Sequence, residues 1–138
     1  MGNTKPIGVA YEDQDIIGAD RIYSSGELGY TAAGQGTVTQ LTDKSTAVTL
    51  NKGAGQITLN NAALAGNTAV QFTLNNTYIS ANDILILNIG AGAVADPAAY
   101  TVYVSNLSTG TALITVRNLT ATSRSEALVL NFALIHCL

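Results

Sequence analysis

The sequence predicts an all-β protein: an eight-stranded jelly-roll-like β-sandwich preceded by an extended N-terminal arm. Three observations lead there. Eight short runs rich in Val, Ile, Leu and Thr are spaced along residues 35–138. Apolar and polar residues frequently alternate within them, the period of a strand with one covered face. Most of the intervals hold Gly, Asn, Asp, Ser or Pro, the residues that make turns. Eight such strands suit two sheets packed face to face.

The runs follow in order. Thr37–Leu41 alternates, and Ala47–Leu50 follows a turn at Asp43-Lys44-Ser45. Gln56–Leu59 comes after the Gly53-Ala54-Gly55 break. Ala69–Leu74 places Val70, Phe72 and Leu74 on one face. Ile84–Ile89 is nearly continuous in apolar residues, the pattern of a strand buried on both faces. Tyr100–Val104, Ala112–Val116 and Ala127–Ile135 complete the set. Asn61–Ala65 is the one segment that reads as helical, about a single turn. Recurrent Thr-Val-Thr, Val-Thr-Leu and Ile-Thr-Leu triplets are shared strand chemistry without a solenoid period.

Residues 1–30 differ in character from residues 31–138, which read as the β-sandwich body. The first segment holds five acids against two bases, whereas the remainder holds four of each, so the whole net charge of −3 lies in the first thirty residues. No strand or helix period runs through it. Isolated apolar side chains, among them Ile7, Val9, Tyr11, Ile16, Ile17, Ile22 and Tyr23, are interrupted by glycines. A solvated tail has little use for so many isoleucines and tyrosines. The expectation is a docking arm whose contact residues are these seven together with Asp13 and Asp15.

Composition narrows the function. Charged residues make up 11% of the chain, against about 25% in an average soluble domain. Aromatics are 6%, and Trp is absent. A core of small aliphatic residues gains from burial against partners, at roughly 25 cal/mol per Å² of apolar surface. Six scattered Lys and Arg do not form the basic patch that nucleic acid requires. No run of 18 apolar residues is present, and the first residues lack the pattern of a signal peptide, so no membrane segment is expected. With one cysteine, Cys137, no intrachain disulfide is possible.

The chemistry-bearing residues do not assemble into an active site. His136 is the only histidine, and its neighbour Cys137 would point to the opposite face of a strand. One His and one Cys are too few for a zinc site. Glu12-Asp13-Gln14-Asp15 has a faint calcium-loop character but lacks the following Gly and the distant bidentate Glu, and reads as a solvated or partner-facing acidic stretch. The Gly-x-Gly pieces at 53–55 and 90–92 lack the rest of a phosphate-binding motif and read as turns. Tyr100 and Tyr103 fall on opposite faces of their strand, so packing is favoured over a sugar-binding platform. Asn75, Asn106 and Asn118 begin glycosylation sequons by pattern, which an Asn- and Thr-rich chain produces by chance. The expectation is a protein with no enzymatic activity, no cofactor and no metal.

Several stretches resemble a β-rich module of tailed-bacteriophage capsid decoration (cement) and head-fibre structural proteins. They are Gly36–Thr42 with Lys44-Ser45-Thr46, Val48–Lys52, Gly55–Leu64, Arg117–Ala121 and Ser125–Ala133. The opening Lys5–Tyr11 with Asp13-Gln14-Asp15 is similar to that of small phage head proteins. The ending His136-Cys137-Leu138 departs from the small or basic ending usual there. The resemblance implies a virion component on the capsid exterior, a homotrimer bound to the major capsid protein. The same kind of module also ends longer fibre or spike proteins, so a receptor-binding module that touches host glycans, with loop 90–98 as a contact, is the alternative.

Overall fold

The computed structural model describes residues 20–21, 23–90, 96 and 98–137. The fold is all-β: two mixed sheets of four strands form a sandwich. The strands are β1 (Gln35–Thr39), β2 (Val48–Thr49), β3 (Ala54–Thr58), β4 (Ala69–Asn75), β5 (Ile84–Ile89), β6 (Tyr100–Ser108), β7 (Thr111–Asn118) and β8 (Val129–Ile135). One sheet, called A here, has the order β1-β3-β8-β5; the other, B, has the order β2-β4-β7-β6. The first six strands alternate strictly between the sheets, so each early connection crosses the core.

Alternation in the sequence becomes alternation in burial. In β4, Phe72 and Leu74 point inward. In register with them, Ile114 and Ala112 of β7 do the same, and Val116 follows two residues on. From sheet A, Ile57 of β3, Leu85 of β5 and Leu130, Phe132 and Leu134 of β8 meet them. Burying each large side chain contributes about 1.5–3 kcal/mol. This single core needs no tryptophan, because β-branched and leucine side chains from two four-stranded faces interdigitate.

Three expectations are corrected. Asn61–Ala65 is not helical; Leu64 instead forms an isolated bridge with Arg124, with N–H···O distances of 2.7 and 3.0 Å in the two directions. The only helical turn among the described residues is a 3-10 turn at Ala32–Gly34. Gly55 is not part of a break but lies inside β3, opposite Gly36 of β1, and a Cβ there would collide with the Gly36 carbonyl. The Ile84–Ile89 run is not buried on both faces: β5 is the edge of sheet A, paired only with β8, and Ile84 and Ile86 are 53% and 51% exposed. Two pairings are parallel, β1 with β3 and β2 with β4, a consequence of the alternating path.

Candidate functional site

Two regions concentrate unusual chemistry. The first closes one end of the sandwich with buried polar groups. Lys44 sits at the turn after β1 and is only 3% exposed. Its ammonium donates to the Asn60 carbonyl at 2.5 Å and the Glu126 carbonyl at 2.9 Å. Burial pushes the Lys44 ammonium down from its ordinary value, and the nearby Glu126 carboxylate opposes that. Gln40, also buried, donates to the carbonyls of Lys44 and Thr46 and accepts from the Asn60 N–H.

Asn118, the last residue of β7, is fully buried and does comparable work on the same side. Its amide donates to the carbonyls of Leu64, Ala65 and Thr122, and its oxygen accepts from the N–H and hydroxyl of Thr120. The Asn118 sequon is therefore closed to modification in the folded protein. Nearby, the Tyr100 hydroxyl donates to Glu126 Oε2 at 2.5 Å, and Arg124 Nη1 donates to Oε1 at 2.8 Å. Burial first, then the Glu126 carboxylate, raises the Tyr100 phenol above its usual range. The Tyr100 hydrogen bond is the main cause of the lowered Glu126 carboxyl. Among the described residues no buried side-chain polar atom lacks a partner.

This cluster joins distant stretches of chain: Lys44, Asn60 and Leu64 lie between β1 and β4, and Asn118, Thr120 and Glu126 lie at or after the end of β7. The sequence places Lys44 in a turn and gives no hint of its burial. The residue type gives no local sign of it, since only the docking of β8 brings Glu126 over the turn.

The second region is the outer face of sheet A. Strands β1, β3, β5 and β8 contain no Asp, Glu, Lys or Arg. Register aligns Ile84 with Ile135, and Ile86 with Ala133 and Ala54. The next row is polar: Asn88, Asn131, Gln56 and Thr37, with Gln56 Nε2 donating to Asn131 Oδ1 at 3.0 Å. Ile84, Ile86 and Ile135 are each about half exposed.

Residues 23–31 arrive on this face without regular secondary structure. Tyr30 anchors them: its ring covers Gly53, where a Cβ would strike it, and its hydroxyl donates to the Leu134 carbonyl. Between Leu28–Tyr30 and the strands lies a groove of about 470 Å³ lined by Ile86, Ala133, Leu134 and Ile135. Leu28 is 91% exposed beside it. Of the predicted arm contacts, Tyr23 is 83% exposed; Ile7, Val9, Tyr11, Asp13, Asp15, Ile16, Ile17 and Ile22 lie outside the described residues.

At the rim of this face, Asp83 gathers donors. It accepts from the Ser80 N–H at 2.8 Å, the Ser80 hydroxyl at 2.7 Å and the Cys137 N–H at 3.2 Å, with His136 Nδ1 at 3.0 Å. The Ser80 N–H, then the Ser80 hydroxyl, Cys137 and His136 bring its pKa from 3.8 to about 2, against the opposing effect of burial. Ser80, Asp83 and His136 are not a hydrolytic triad: the serine hydroxyl is bound to the carboxylate rather than to the imidazole, so nothing activates it. The cluster fastens the end of β8 to the turn before β5. Among the described residues no group of three His, Cys, Asp or Glu converges as a metal site would require.

The outer face of sheet B is different again. Tyr103, half exposed, lies in a row with Thr115 and Gln71. Gln71 Nε2 donates to Thr115 Oγ1 at 3.0 Å, and Ser105 shares the same hydroxyl. Tyr100, three residues earlier, is buried, so the two rings do point to opposite faces. Loop residues 91–95 and 97, part of the alternative glycan contact, lie outside the described residues. No described helix is long and apolar enough to cross a membrane. No family model, curated protein or solved structure matches the chain.

Proposed function

We propose that this chain is a non-enzymatic structural component of a tailed-phage particle that decorates the capsid exterior as a homotrimer and cements neighbouring major capsid subunits. The observation that carries this reading is the pairing of a self-sufficient sandwich with an uncharged, partly apolar outer face onto which the N-terminal segment runs. The resemblance over residues 36–64 and 117–135 points to the same role, and those stretches are the ones the buried polar cluster ties together. A cement protein acts by linkage: a ligand that binds only the assembled shell stabilises it by mass action. Many copies around one shell multiply a weak contact through effective concentration. Isoleucines of the arm would supply apolar contact, and Asp13 and Asp15 would complement basic capsid loops.

The test is deletion of residues 1–28, which spares Tyr30 and the sandwich. The truncated chain is expected to fold with an unchanged circular dichroism spectrum yet to leave particles undecorated and more easily disrupted by heat. Full occupancy on particles without the arm would remove the proposal. One observation favours a second reading, a fibre or receptor-binding module: Tyr103 stands exposed on a polar face beside Gln71 and Thr115. Its signature is binding of host polysaccharide that Tyr103→Ala abolishes, with no effect on capsid stability.

A further inference from the structure

We infer that the outer face of sheet A around Ile84, Ile86 and Ile135 is where copies of this chain meet; the inference rests on the proposal that the protein works as an oligomer, and it names the surface. The sequence of β5, Ile-Leu-Ile-Leu-Asn-Ile, is apolar at every position but one. Among the described residues, one chain covers only the side that carries Leu85 and Leu87, leaving the isoleucines on the other side half exposed. A strand written for two covered faces thus has one face covered.

Electrostatics selects the occupant. None of the four strands of sheet A contributes a charge, and residues 31–138 hold four acids and four bases. An acidic or basic partner would find no counter-charge here and would lose solvation of its own charges. A second copy brings an equally neutral face, with no net repulsion between the bodies. Beside the isoleucine patch, the row of Asn88, Asn131 and Gln56 supplies amides that both donate and accept, so two copies can hydrogen-bond in either sense. Among the described residues no strand is bonded to the outer side of β5, and β5 carries none of the usual guards against pairing, neither Lys nor Pro nor an inward charge. The groove between Leu28–Tyr30 and Ile86 accepts an apolar side chain from the neighbour, so the segment leading into β1 contributes to the same contact.

The experiment measures mass by light scattering and sedimentation for the full chain, Ile86→Asp, Ile86→Ser and the control Tyr103→Asp on the opposite sheet. The parent is expected at a multiple of 14.2 kDa. Ile86→Asp is expected at the single-chain mass with the parent's circular dichroism spectrum. Should the charge disturb folding, Ile86→Ser keeps the test open: loss of one buried isoleucine weakens association about tenfold or more. Tyr103→Asp keeps the parent mass. A parent of single-chain mass, with the face free or covered by its own residues 1–19, overturns the inference, as does an Ile86→Ser chain that associates as tightly as the parent. Particle binding of the same proteins separates the two claims. Oligomers that persist in Ile86→Ser and still decorate particles sink the surface and spare the capsid role. Monomeric Ile86→Asp beside an oligomeric parent that never binds particles does the reverse.

Discussion

The clamped end of the sandwich and the outer face of sheet A solve opposite problems. At the clamped end, Lys44, Asn118 and Gln40 are taken out of water beside the half-buried Glu126, and each finds partners within the chain. On the outer face of sheet A nothing is charged, yet Ile84, Ile86 and Ile135 remain half in water. Among the described residues the first region is complete within one chain, and the second is left open. What distinguishes them is therefore not polarity but satisfaction: buried polar groups that are paired hold the fold, and apolar groups left uncovered mark where more protein belongs.

Substitutions that break the clamp should cost stability and leave association alone. The largest effect is expected for Asn118→Leu, which strips three carbonyls of their donor and overfills a packed site. A loss of about 3 kcal/mol follows, measured by urea unfolding. Lys44→Met keeps most of the side-chain volume but abandons the carbonyls of Asn60 and Glu126, and should cost about 2 kcal/mol in the same assay. A change below a few tenths would show that water replaces the ammonium freely. Tyr30→Phe removes one hydrogen bond to the Leu134 carbonyl while keeping the ring on Gly53. About 1 kcal/mol is expected, together with faster proteolysis near residue 28.

Asp83 gives the pH dependence. Its folded pKa of about 2 lies below the ordinary 3.8, so the folded state favours the ionised form. Its contribution is fully present above about pH 4 and is lost as pH falls from there towards 2. Melting temperatures across that window should fall less steeply for Asp83→Asn than for the parent, and parallel curves would show that the carboxylate is not the linked group. The smallest stability effect belongs to the outer face. Ile84→Thr, at an exposed strand position, should shift unfolding by no more than about 0.5 kcal/mol for the dissociated chain. A larger loss there would mean that the face is already packed within one molecule, and the contrast between the two regions would narrow.

Much of the sandwich was readable from period-two patterning. Alternation in 69–74 put Val70, Phe72 and Leu74 on one face, and the sandwich buries Phe72 and Leu74 there, because a half-covered strand writes its orientation locally. The strand boundaries moved by a few residues where Gly55 and the bulge near Ser105 let a strand run on. Ile84–Ile89 misled for a physical reason: an apolar run reports that both faces want cover, not what provides it. Asn61–Ala65 had helix-forming alanines but was captured by the Leu64–Arg124 bridge, a partner sixty residues away. The burial of Lys44 and the pentavalent role of Asn118 depend on strands that meet only in three dimensions. Local pattern therefore gave no sign of them.

The position of β8 bears on how the protein is made. It is the last strand in the chain, yet it sits between β3 and β5 in sheet A. On the ribosome, β5 is finished well before Val129–Ile135 emerges, by several seconds at roughly 5–20 residues per second. Throughout that interval β5 has no strand partner in sheet A and β3 has only β1, and Ile57 and Leu85 lack the cover that Leu130 and Leu134 later give. The nascent chain must therefore pass through a stage of open, sticky strands, and co-translational escort by a holdase would act on that stage.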